Sequence, residues 1–108
     1  MIVKLKNQSN KYQDLSPKLS YFVIGIEAND YRILNNYGKP YLYPSKIFDI
    51  LDNTIPKDWI TEYGEEGEVY SYPKKLNSIG FFEDFFDGKN KAVAEFWHVV
   101  NQRLSNAA

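Results

Sequence analysis

The residues best suited to chemistry lie at positions 58–72, where DWITEYGEEGEVYSY carries the carboxylates of Asp58, Glu62, Glu65, Glu66 and Glu68 and no Lys or Arg. Trp59, Tyr63, Tyr70 and Tyr72 are interleaved with them. Carboxylates steer the approach of a basic partner, and Tyr or Trp rings supply contact area at low entropic cost, so the pattern points to docking against a basic protein. The expected partner-binding residues are Asp58, Glu62, Tyr63, Glu65, Glu66, Glu68, Tyr70 and Tyr72. The tyrosines have a plainer role open to them, because a ring can support the segment while its hydroxyl stays wet. Should another surface make the contact, Tyr31, Arg32 and Tyr37 in the first half are the next candidates.

Other chemistries find little footing. The chain has a single histidine, His98, and no cysteine. A zinc site would then need several carboxylates, and Glu65, Glu66 and Glu68 do not follow the alternation of a calcium loop. Helical rotation puts His98 about 140° from Val93, on a polar side with Lys91, Glu95 and Gln102. No Gly-x-Ser-x-Gly elbow and no glycine-rich phosphate loop occurs. Glu83 and Asp84 could serve acid–base chemistry, but two neighbouring carboxylates on a short helix ordinarily form a solvated edge. No catalytic residue, metal ligand or cofactor is expected, and the chain reads as a non-enzyme.

Charge is segregated along the chain. Residues 1–57 carry eight Lys or Arg against five Asp or Glu, residues 58–90 carry three against eight, and residues 91–108 carry two against one. An acidic 58–90 region argues against nucleic acid, whose phosphates need a basic face. At 108 residues the chain fits one domain with one core and no need of disulfides. The absence of cysteine suits a reducing compartment, the opening fifteen residues lack a long apolar run, and no stretch approaches the length of a membrane span. A cytoplasmic location is expected; the oligomeric state is open.

The elements that must position the acidic segment read as strands first and helices later. Residues 2–5 form a short strand, and residues 7–18 a polar loop closed by Ser16-Pro17. Residues 21–27 (YFVIGIE), aromatic and β-branched, make the best central strand. Asn29-Asp30 turns the chain into a strand at 31–34, and Asn35-Asn36-Tyr37-Gly38 turns it again into a strand at 40–43. Ser45 can cap a short helix over 46–51, with Ile47, Phe48 and Leu51 on one side. Residues 59–63 and 68–72 flank Gly64-Glu65-Glu66-Gly67 as a hairpin with an acidic tip, and alternation puts Glu68, Tyr70 and Tyr72 on one face. A short helix over GFFEDFFDG would pair Phe81 with Phe85 and Phe82 with Phe86 before stopping at Gly88. Asn90 caps the last helix, whose apolar stripe runs through Val93, Phe96, Trp97, Val100 and Leu104. The result is an α+β domain over residues 1–108: an antiparallel sheet of about four or five strands packed against a C-terminal amphipathic helix.

The run YFVIGIE, Asp30-Tyr31-Arg32, Gly38-Lys39-Pro40-Tyr41-Leu42-Tyr43-Pro44, the acidic hairpin and GFFEDFFDG together resemble small bacterial immunity proteins that neutralise secreted or contact-delivered toxins. The resemblance extends over most of the chain in plan. It implies a protein that binds a cognate toxin domain, such as a nuclease, in the cytoplasm and blocks its site without chemistry of its own. A small carboxylate-dependent enzyme and a non-catalytic structural or adaptor module are the competing readings.

Overall fold

The run SYFVIGIE has too many β-branched and aromatic residues for an easy helix and buries readily on both faces. It forms the long strand β2 (Ser20–Glu27), on which everything else is built. The computed structural model describes the backbone of residues 1–107 and the side chains of residues 1–103. Around β2, β1 (Ile2–Leu5), β3 (Asp30–Leu34), β4 (Pro40–Pro44), β5 (Phe48–Asp52), β6 (Trp59–Tyr63) and β7 (Val69–Pro73) complete an antiparallel sheet of seven strands. One path runs β4-β3-β2-β1-β5, and the β6–β7 hairpin joins the end of β2 through Ile26↔Ser71 and Glu27↔Tyr70.

A bulge in β2 sets which side chains face which core. Val23 pairs with Ile33 and Gly25 with Arg32, so Ile24 is the extra residue. An inserted residue reverses the alternation beyond it. Tyr21 and Val23 before the bulge and Ile26 after it therefore face one core, with Val3, Leu5, Leu15, Ile33, Tyr43 and Phe48. Ile24 faces a second core on the other side of the sheet, with Tyr72, Leu76, Phe81, Ala92, Phe96 and Val100. The polar loop between β1 and β2 closes the first core. Its Asp14 carboxylate accepts from the Tyr43 hydroxyl at 2.6 Å and the Asn35 amide at 3.3 Å. The Asn35 side-chain oxygen Oδ1 in turn accepts the backbone N–H of Tyr37 and Lys39, pinning the β3–β4 turn, whose Gly38 takes φ 73°.

The segment expected as a helix over 46–51 is instead a 3-10 turn, Ser45–Ile47, followed by β5. Six residues containing Ile47, Phe48, Asp49 and Ile50 are too short and too weakly helical to hold a helix alone. The open edge of β1 offers them a ladder, with Leu5 opposite Phe48 and Lys4 opposite Asp49. With this strand, and with the expected hairpin paired directly to β2, the sheet has seven strands against the four or five expected. The turn after β2 also falls one residue earlier than expected: Ala28 takes φ 55°, and Asp30 already belongs to β3.

Two helices cover the second core: α1 (Phe81–Phe86) and α2 (Asn90–Ala107). Gly88, at φ 74°, ends the turn after α1 as expected. The Val93 N–H bonds the Lys89 carbonyl, so Asn90 already lies inside the helix rather than capping it. The stripe of α2 is turned towards Ala92, Phe96 and Val100, with Val93 and Trp97 only half-buried at its border. Leu104 lies outside the described side chains. The rings of α1 do not pair at i, i+4; Phe82 and Phe85 meet each other and both meet Phe96, at centroid distances of 6.1 and 4.7 Å. Phe96, with no exposed surface, draws both rings inward and leaves Phe86 against Tyr41. Among the described residues no helix is long and apolar enough to cross a membrane.

Candidate functional site

The acidic hairpin is held in register by Ile60↔Tyr72, Thr61↔Ser71, Glu62↔Tyr70 and Tyr63↔Val69. At its tip the Gly64 N–H bonds the Glu68 carbonyl and the Gly67 N–H bonds the Gly64 carbonyl. Gly67 turns the chain at φ 82°. The Glu68 carboxylate folds back to accept the Glu66 backbone N–H at 3.0 Å, and it fills the space that a Cβ at position 64 would need. Glu68 thus shapes the turn, while Glu65 and Glu66 stand out in solvent.

Register carries the acidic character from the hairpin onto β2. Glu62 lies opposite Tyr70, and Tyr70 opposite Glu27, so the three form a row across β6, β7 and β2. This row, with Glu83 of α1, borders a recess of about 320 Å³. Its floor is Tyr72, Phe82 and the buried Arg32. The Arg32 guanidinium donates to Glu27 Oε2 at 2.6 Å, to the Tyr72 hydroxyl at 2.7 Å and to the Pro40 carbonyl at 2.7 Å, and it lies 3.9 Å from the Phe82 ring centroid. The Tyr72 hydroxyl donates onward to the same Glu27 oxygen at 2.6 Å. Burial above all, with the Glu27 carboxylate adding to it and Arg32 opposing it, pushes the Tyr72 phenol above its ordinary range and keeps it a donor.

Arg32 is therefore committed within the fold. Glu62 and Glu83 are exposed and form no ion pair among the described residues; Glu62 has only the Asn77 amide, at 3.5 Å. Asp84, by contrast, is bonded to Lys89 at 3.1 Å. Around one internally neutralised cation the recess presents an excess of negative charge, which can accept a Lys or Arg side chain or repel a phosphate.

The eight nominated residues do not make one surface. Glu62 and Tyr70, the latter 37% exposed, line the recess, and Glu65 and Glu66 form the tip beside it. Tyr63 is 74% exposed but alternates to the opposite strand face from Glu62. Asp58 sits at the far end of β6, in another cleft with Lys74 and Lys75. Tyr72 shares the face of Tyr70, as alternation requires, yet only 7% of it is exposed because α1 covers it. Of the reserve candidates Tyr31, Arg32 and Tyr37, Arg32 is buried and Tyr31 packs on the first core, so Tyr37 alone is open. Glu27 and Glu83 were not selected from the sequence: Glu27 reaches the site only through the β2–β7 pairing, and Glu83 only through the docking of α1. His98 is exposed, and among the described residues no three His, Cys, Asp or Glu side chains gather as metal ligands. No family model, curated protein or solved structure matches the chain.

Proposed function

We propose that this protein is an immunity protein that binds a cognate bacterial toxin domain, a nuclease being the class its charge best complements, and blocks it by occupying its basic substrate surface. The observation that carries this reading is the run of exposed carboxylates, without ion pairs among the described residues, from Glu83 and Glu62 at the recess to Glu65 and Glu66 at the hairpin tip, with Tyr70 beside them and Tyr63 exposed on the other face of the same hairpin. A nuclease must present basic groups to phosphate, and such a surface attracts a partner of this charge with fast, salt-sensitive association. The exposed tyrosine rings add the apolar contact that slows dissociation.

The test is binding kinetics, at two salt concentrations, against any toxin domain that a gene neighbouring this one encodes. Glu62→Gln, Glu65→Gln and Glu66→Gln together should slow association about tenfold and flatten its salt dependence, with thermal stability nearly unchanged. Tyr70→Ala should act on dissociation instead, costing about 2 kcal/mol if the ring is a central anchor. Unchanged rates for both variants would remove this surface from the interface.

A further inference from the structure

A second cleft, of about 590 Å³, opens where β2, the base of the hairpin and the C-terminal part of α2 meet. Its walls are Phe22, Ile24, Leu34, Trp59, Val99 and Val100. The volume falls within the range of about 300–1,000 Å³ typical of small-molecule sites, and the apolar and aromatic lining is of the kind such sites use. Polar groups in the lining are distributed unevenly. Among the described residues Lys74, Lys75 and Arg103 face it against the single carboxylate of Asp58. Neither lysine forms an ion pair among the described residues, and both are exposed; the Arg103 guanidinium lies 5.4 Å from the centre of the Phe22 ring, joining the cationic groups to the apolar wall.

We propose that this cleft binds a small amphiphilic anion, a free carboxylate on an aliphatic or aromatic body, with the apolar part against Trp59, Ile24 and Val99 and the carboxylate held by Lys74, Lys75 and Arg103. Charge decides among the occupants. A second copy docked cleft to cleft would set these cations against their own kind, and a basic partner such as the toxin surface proposed above would meet the same repulsion. A neutral apolar molecule would leave the lysines without a role, whereas an amphiphilic anion satisfies the wall and the cations together. The site is separate from the acidic recess, with which it shares no lining residue among those described.

The probe is dodecanoate below its micellar concentration, followed by calorimetry and by tryptophan emission, with dodecyltrimethylammonium as the matched cation. Dodecanoate should bind with one-to-one stoichiometry and Kd below about 100 μM, and the matched cation at least tenfold more weakly. Lys74→Glu with Lys75→Glu, both on exposed side chains, should weaken dodecanoate tenfold or more while the far-ultraviolet circular dichroism stays unchanged. Val99→Trp, which fills the cleft, should abolish binding. No binding at about 1 mM, equal binding of the cationic amphiphile, or indifference to the lysine reversal would each overturn the proposal. Capture of the protein on anionic phospholipid vesicles without binding of monomeric dodecanoate would also overturn it, in favour of a membrane surface.

Discussion

One added methyl group at position 25 should destabilise the fold severely. Gly25 is buried in β2 and does not adopt a left-handed φ, so the backbone itself would accept any residue there. Space is what forbids it. A Cβ would overlap the Tyr72 ring at Cε1 and Cδ1, and even Cζ would be only 2.6 Å away. The ring has nowhere to go: its hydroxyl is fixed by Arg32 and Glu27, and Phe82 packs on it with centroids 5.3 Å apart. Overpacking costs about 1–3 kcal/mol, and losing a hydrogen bond to a charged group about 1.5–3 kcal/mol more. Gly25→Ala should therefore cost about 3–5 kcal/mol, a large share of the roughly 5–15 kcal/mol that holds a domain together. Tyr72→Ala should cost a similar amount through the void it leaves. In that background the new methyl meets open space, and Gly25→Ala should become neutral or gain about 0.5–1 kcal/mol, because alanine restricts the unfolded chain. Urea denaturation followed by far-ultraviolet circular dichroism would give the cycle, with a coupling of at least about 3 kcal/mol. A single-mutant cost below about 1 kcal/mol, or the same cost in both backgrounds, would refute the placement of Tyr72 across Gly25.

Phe96→Ala should cost about 3–5 kcal/mol by chemical denaturation, the half-buried Trp97→Ala less, and the exposed His98→Ala under about 0.5 kcal/mol. Gly67→Ala should cost about 1 kcal/mol from strain at φ 82° alone, since nothing crowds the site; a neutral result would mean the turn relaxes. Alkali should weaken the fold through two phenols whose pKa values are raised, Tyr72 as described and Tyr43 by burial first and the Asp14 hydrogen bond second. The folded state holds both protons more tightly than the unfolded state, so their contribution is complete below about pH 10 and is lost above it, at up to about 1.4 kcal/mol per pH unit for each phenol. Tyr43→Phe and Tyr72→Phe should each flatten that slope in urea titrations between pH 9 and 11.

Local chemistry was the legible part of the sequence. Two glycines around two glutamates located the hairpin, the β-branched run located β2, and both rest on interactions within a few residues. What depended on partners distant in sequence was not legible. Residues 46–51 carry an apolar spacing that fits a turn of helix, and only the vacant edge of β1 makes them a strand. Arg32 looks like a surface cation until Glu27, Tyr72 and Pro40 are brought around it. Tyr72 sits in the same acidic, aromatic run as Tyr70, and the docking of α1 is what separates a ring on the floor of the recess from one at its border. In α2, Val93 and Ala92 compete for the centre of the stripe, and the ring of Phe85 against Phe96 settles the rotation in favour of the smaller residue.

The position of β2 has a consequence for how the protein opens. β3 pairs along its second half, β1 lies beside its first half and the hairpin beside its end, while the two cores cover its opposite faces. No single element can detach and leave its central amides to solvent. In hydrogen–deuterium exchange the amides of Val23 to Ile26 should exchange only through global unfolding, whereas those of the hairpin tip and of β5, whose side chains after Phe48 are exposed, should exchange through local fluctuations. The acidic surface is thus mounted on the most protected strand through Glu27 and, on the hairpin itself, at the end that opens most readily.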